Sequence, residues 1–142
     1  MTPERAADCE AIRYTLARYN QSGDRGRIGE LLECFAEDGV MHLLDEQPIQ
    51  GRAAIEARLM QVVDASAAVP EGAFVRHSVS NTLIEFDGDD EATVSSYYFV
   101  VTEVGPDHWG TYRDRLRRFG DRWLFTHRRV RVDGSAPNSR MA

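Results

Sequence analysis

Apolar positions recur at spacings of three and four early in the chain and at spacings of two later, so helices precede strands. Cys9, Ile12, Leu16 and Tyr19 form one stripe with Arg5, Arg13 and Arg18 off it, which predicts an amphipathic helix from Glu4 to Ser22. Thr2-Pro3-Glu4 supplies a capping hydroxyl and a first-turn proline, and Ser22-Gly23-Asp24 supplies the stop. A second helix is expected over Arg25–Ala36, with Ile28, Leu31, Leu32 and Phe35 on one face and Asp24 at the junction as a possible cap. A turn at Glu37-Asp38-Gly39, a short strand Val40–Leu44, a loop from Pro48 to Gly51 and a third helix Arg52–Val63 follow.

After a small-residue connection, Ala65–Gly72, which contains Pro70, the period changes. In Val75–Phe86 the residues Val75, His77, Val79, Asn81 and Leu83 share one face of a strand. The turns Asp87–Asp90, Gly105-Pro106-Asp107 and Gly120-Asp121 separate it from strands Glu91–Val104, Trp109–Phe119 and Arg122–Val132. From Asp133 the chain is polar and expected to fray, leaving 134–142 as a flexible tail. Helices followed by consecutive antiparallel strands indicate an α+β fold in a single domain spanning residues 1–142.

Three polar residues fall on faces that look inward. His77 lies among apolar alternates, Asp114 lies opposite the arginine face of 113, 115 and 117, and Arg128 shares a face with Leu124, Thr126, Val130 and Val132. Trp123, Phe125 and His127 would lie on the opposite face. Tyr98 is a further candidate, although the pair Tyr97-Tyr98 leaves its face open. An unpartnered buried polar group costs roughly 1–3 kcal/mol, so each needs a partner or a function. Asp114 and Arg128 suit a buried ion pair as well as a ligand contact. Histidine titrates near neutral pH and suits proton transfer.

Composition narrows the chemistry. With 142 residues, 42% of them hydrophobic and 28% charged, the chain is an ordinary globular domain. No apolar run approaches the roughly 20 residues that span a bilayer, and the acid-bearing start lacks the pattern of a secretory signal. A cytoplasmic location is expected. The net charge of −6 disfavours nucleic acid, and Cys9 and Cys34 make no ligand or redox spacing. The four histidines, 42, 77, 108 and 127, show no metal-ligand spacing, and no phosphate-binding or nucleophile-elbow motif is present. Acid–base chemistry without metal or cofactor, or ligand binding alone, remains.

The segments YNQSGD, FAEDGV, QGRAAI, RHSVSNTLIEFDGDDEATV and GTYRDRLRRFGDRWLFTHRRV resemble the SnoaL-like group of the nuclear transport factor 2-like superfamily from about Glu4 to Asp133. That resemblance implies a cone, a curved antiparallel sheet wrapped around a long N-terminal helix with a pocket at its open end. Relatives include scytalone dehydratase, lindane dehydrochlorinase, bile-acid 7α-dehydratase, ketosteroid isomerase and polyketide cyclases, and one fold hosts all these activities. By resemblance to the dehydratases, His77 is the base and Asp24 its orienter, while Tyr19 and Arg128 contact substrate. Tyr98 and Asp114 complete the candidate set.

The reaction so implied is removal of a proton alpha to a carbonyl by His77, with Tyr19, Tyr98 or Arg128 stabilising the enolate, and then loss of water or double-bond migration. The substrate would be a hydrophobic cyclic hydroxy-carbonyl compound and the protein a homo-oligomer, dimeric or trimeric. Two other readings use the same fold. One is a non-catalytic binding or oligomerisation domain, and the other an accessory small subunit of a ring-hydroxylating dioxygenase.

Overall fold

The structure, a computed structural model, describes residues 1–66 and 71–141, and the Pro70 part of the predicted connection lies outside them. Helix α1, Pro3–Asp24, starts where Thr2 Oγ1 accepts the Arg5 N–H at 3.1 Å, as its sequence predicts. Its stripe of Cys9, Ile12, Leu16 and Tyr19 is buried. Beside the stripe, the carboxylate of Asp8 accepts two hydrogen bonds from Arg118 (2.8 and 2.9 Å) and one from the Trp123 indole (3.1 Å). The helix is thereby clamped to the sheet at its first turns.

Six strands form one curved, unclosed sheet in the order β2-β1-β6-β5-β4-β3. They are β1 (Phe35–Leu43), β2 (Ile49–Gln50), β3 (Val75–Phe86), β4 (Glu91–Thr102), β5 (Gly105–Phe119) and β6 (Arg122–Ser135). Short helix α2, Ile28–Leu32, precedes β1, and α3, Arg52–Ser66, follows β2. The sheet is antiparallel as expected except that β1 runs parallel to β6. This is the cone, with α1 against its concave face.

Several boundaries differ from the local pattern. The second helix stops at Leu32, and Phe35 opens β1 instead of closing a helical face. Its ring packs 5.3 Å from Phe125 and 6.1 Å from Tyr19, and Cys34 O accepts the Phe125 N–H at 2.8 Å. That pairing outweighs a helix of weak intrinsic preference. The Glu37–Gly39 turn is a bulge within β1, where a Cβ on Gly39 would approach the carbonyls of Ala36 and Phe125 at 3.0 Å. The loop at Pro48–Gly51 contains the two-residue β2. The turn after β4 comes two residues early, so Pro106 and Asp107 belong to β5. Beyond Asp133, where fraying is expected, β6 continues to Ser135 and Ser139 is buried.

Bulges also invert two predicted faces. Alternation in β3 holds through Ser80, then Asn81 adopts φ 54° and the register shifts. Beyond it Ile84 and Phe86 turn inward, while Leu83, predicted inward, is 57% exposed. In β6 an extra residue falls at Thr126, between the pairs Leu116–Phe125 and Arg115–His127. Trp123 and Phe125 are therefore core residues, not outer ones, and Arg128 still faces inward three positions later. Each inserted residue resets the phase and bends its strand.

At Gly110 in β5 a Cβ would fall 1.8 Å from the Arg131 carbonyl oxygen and 2.7 Å from the Tyr98 hydroxyl. We expect Gly110→Ala to lower stability by about 3 kcal/mol through forced separation of β5 and β6. A shift of the urea midpoint below that of the wild type, with the slope unchanged, is the readout.

Candidate active site

Asp24 ends α1 beside β3, an edge strand whose outward N–H groups have no neighbouring strand. Its carboxylate takes His77 at two points, Oδ2 accepting the backbone N–H at 2.9 Å and Oδ1 lying 2.6 Å from Nδ1. A carboxylate only accepts, so Nδ1 carries the proton and Nε2 of the neutral ring is left with a lone pair. Asp24 is 8% exposed and His77 27%, a buried orienter behind a reachable imidazole. The pair predicted by resemblance is thus in contact. Asp24 does not cap the second helix.

A second acid–histidine pair faces the first. His108 Nδ1 lies 2.7 Å from Oδ2 of Asp107, and the two imidazole rings stand 6.4 Å apart at 85°. Neither residue is among those the sequence singles out, because Gly105-Pro106-Asp107 reads as a turn. Asp107 is fully buried. Although burial opposes its ionisation, donors from Arg140 N (3.0 Å), Ser139 Oγ (2.6 Å), His108 and Thr102 Oγ1 (3.0 Å) hold its carboxyl far below the usual range. A Pro-Asp-His run at the mouth of a strand was the available signal.

Tyr98 resolves the ambiguous pair, being 4% exposed where Tyr97 is 59% exposed. Its ring is 6.3 Å from both His77 and His108. Its hydroxyl donates to Arg131 O at 2.9 Å, and burial pushes the phenol up to about 12. Tyr98 therefore walls the site, with its proton already committed.

The other predicted residues lie one layer deeper. Tyr98 stacks on Tyr112 at 4.5 Å, and beyond Tyr112 sits the Arg128 guanidinium. That cation lies 3.6 Å from the Tyr112 ring, 4.1 Å from Tyr19 and 4.5 Å from Phe125, with Nε 3.3 Å from Asp114 Oδ1. Both charged side chains are wholly buried. Burial pushes the Asp114 carboxyl up to about 7, Arg128 opposing it. Asp114 and Arg128 thus form the ion pair anticipated as one reading, caged by aromatic rings, and two tyrosine layers separate them from His77. The Tyr112 hydroxyl is held by Asn20 Oδ1 at 3.2 Å, whereas that of Tyr19 has no hydrogen-bond partner among the described residues.

Two clefts, of about 340 and 320 Å³, open on the outer side of α1 around Tyr14 and Arg18, and neither is lined by His77. They hold no acid–histidine pair, so the chemistry points to the sheet interior instead. Cys9 and Cys34 are buried free thiols, and burial pushes Cys34 up to about 11.

A cone-shaped α+β domain with an acid-held histidine where the helix ends defines the class of protein. The SnoaL-like domain profile matches residues 4–129, and the chain belongs to that family. A putative scytalone dehydratase from Novosphingobium aromaticivorans superposes with a TM-score of 0.82 at 23% identity, covering 96% of this chain and 91% of that one. Rv3472 of Mycobacterium tuberculosis, described as of unknown function, gives 0.77 at 30% identity, covering 100% and 82%. A Catenulispora acidiphila protein in complex with S-DNPA gives 0.75 at 28%, covering 90% and 95%. No curated protein matches the sequence.

Asp107 provides a test of the electrostatics. Its folded pKa is depressed, so its stabilisation is present above the unfolded value of about 4 and disappears as pH falls through the folded value. Asp107→Asn should lower stability at pH 7 by about 3 kcal/mol. The gap from wild type should narrow progressively below about pH 4 in denaturant titrations.

Proposed function

We propose that this protein is a cofactor-independent dehydratase or isomerase in which Asp24 and His77 abstract a proton from a hydrophobic cyclic hydroxy-carbonyl compound. The observation carrying this reading is the two-point hold on His77, which fixes the tautomer and leaves Nε2 as the acceptor. Nε2 takes the proton alpha to the carbonyl, and the Asp24 carboxylate stabilises the imidazolium that results. The electron pair moves onto the carbonyl oxygen as an enolate. Return of the pair expels the hydroxyl, which leaves as water on taking a proton from an imidazolium of the site, or moves the double bond where no leaving group exists.

Of the proposed oxyanion donors, Tyr19 retains an uncommitted hydroxyl among the described residues, whereas Tyr98 donates to Arg131 and Arg128 is sealed beside Asp114. Enolate stabilisation by one such donor is worth about 3 kcal/mol. The outer sheet face carries exposed Leu83, Tyr97, Phe99 and Trp109, which supports assembly as a homo-oligomer.

The test is a screen of cyclic β-hydroxy ketones followed by the absorbance of the conjugated product. His77→Gln should lower kcat by about 1000-fold and Asp24→Asn by about 100-fold, with circular dichroism unchanged. Full turnover by His77→Gln would remove His77 as the base.

A further inference from the structure

On that reading of His77, we infer that His108 is a second catalytic residue, the acid that protonates the departing hydroxyl, and that the C-terminal segment holds its orienter in place. His77 on β3 and His108 on β5 are both register partners of Val100 on β4, so the two imidazoles stand in one row across the sheet. Neighbouring strands lie about 4.8 Å apart, which puts the two backbones roughly 10 Å from each other. Val100 between them is fully buried, and the rings converge above it to 6.4 Å.

The bulge in β5 makes this possible. Asp107 is the extra residue between the pairs Val101–Pro106 and Val100–His108, and it places a buried carboxylate directly behind His108. The proton on His108 lies at Nδ1, toward Asp107, by the argument already applied to His77. Nε2 has no hydrogen-bond partner among the described residues. Two imidazoles, each held at Nδ1 by its own carboxylate, therefore share one site, His77 neutral with Nε2 free to accept and His108 as the imidazolium with a second proton at Nε2.

The chemistry divides between them. His77 Nε2 removes the α-proton, and the C–H pair becomes the enolate. Protonated His108 gives its Nε2 proton to the β-hydroxyl as the C–O bond breaks, the double bond forms and water leaves. His77 then carries one proton more and His108 one fewer, and exchange with solvent restores both. No redox step or co-reactant is involved. The substrate class is narrowed to rings bearing a hydroxyl beta to the carbonyl, with the α-proton and the hydroxyl on the same side.

Asp107 is a positioning residue with an unusual anchorage. Ser139 Oγ and Arg140 N donate to its two oxygens, and Ala136 N donates to its backbone carbonyl at 2.8 Å. Arg140 is in turn paired with Glu103 at 3.4 Å. The charged and titratable groups around His108 are Asp107 on its own strand, His77 with Asp24, Tyr98 on β4, Arg140 beside the C-terminal segment, and Asp133 on β6, which Thr111 binds. Loss of the Ser139 donor leaves Asp107 a stronger hydrogen-bond acceptor for His108 Nδ1.

The experiment uses two probes on the full chain, deuterium exchange into α-tetralone for proton abstraction alone and loss of water from β-hydroxycyclohexanone for the whole reaction. His77→Gln should lose both. His108→Gln should keep exchange within about threefold, which also certifies its fold, and lose dehydration by at least about 100-fold. Added imidazole should restore dehydration to His108→Ala. Ser139→Ala should move the alkaline limb of the dehydration profile to higher pH and leave exchange unchanged. Dehydration retained by His108→Gln, parallel loss of exchange in that variant, or a wild type that exchanges without dehydrating would each overturn the role of His108 while leaving the His77 reading intact. An unmoved limb in Ser139→Ala would overturn the role of the C-terminal segment. A wild type that neither exchanges nor dehydrates would overturn the His77 reading and this inference together.

Discussion

The two-point contact between Asp24 and His77 is where helix, sheet edge and chemistry meet. An edge strand presents N–H groups with no neighbouring strand to receive them, and Asp24 satisfies one of these at His77. The same carboxylate sits at the last residue of α1, with no basic residue in that turn. A negative charge at a helix C-terminus opposes the helix dipole by about 0.3–1 kcal/mol. Local rules are violated at functional sites, and here the penalty is offset by a charge-assisted hydrogen bond that satisfies an edge N–H. Removing the contact would free the helix end and the strand at once.

Farther in, the interior is ordered by aromatic rings. Tyr98 stacks on Tyr112, Tyr112 covers Arg128, and Tyr19 and Phe125 close the cage around the guanidinium. The arginine and aspartate stand 3.3 Å apart, and the rings present their negative faces to the cation, which offsets part of the cost of burying it. The polar pair lies too deep to act with His77, yet it fixes Tyr112, and Tyr112 fixes the ring of Tyr98 that walls the site. Burial and stacking thus transmit rigidity from the core to the reacting groups.

Much of this was legible from periodicity. The inward positions of His77, Asp114 and Arg128 follow from alternation within single strands, and α1 follows from its apolar stripe and its cap. The failures have two physical origins. Strict alternation puts Leu83 inward and Phe125 outward, and bulges at Asn81 and Thr126 reverse both by inserting a residue that no local pattern announces. Phe35 reads as helical because its strand partner lies in β6, at the other end of the chain. The partnership of Asp24 with His77 spans 53 positions and came from family resemblance, since no spacing rule reaches that far.

A third bulge, at Asp107 in β5, builds part of the site. A strand of strict alternation could not bring Asp107 behind His108 while both stay turned from solvent, because successive side chains point to opposite faces. The inserted residue in β5 relaxes that rule at one place and puts an acid and its histidine side by side. In β3 the helix end supplies the acid from outside the sheet, whereas in β5 the sheet supplies it from within. The first anchorage depends on α1 and the second on the chain beyond β6. Perturbing either one should change one histidine and spare the other, a separation that a site built on a single shared carboxylate could not give.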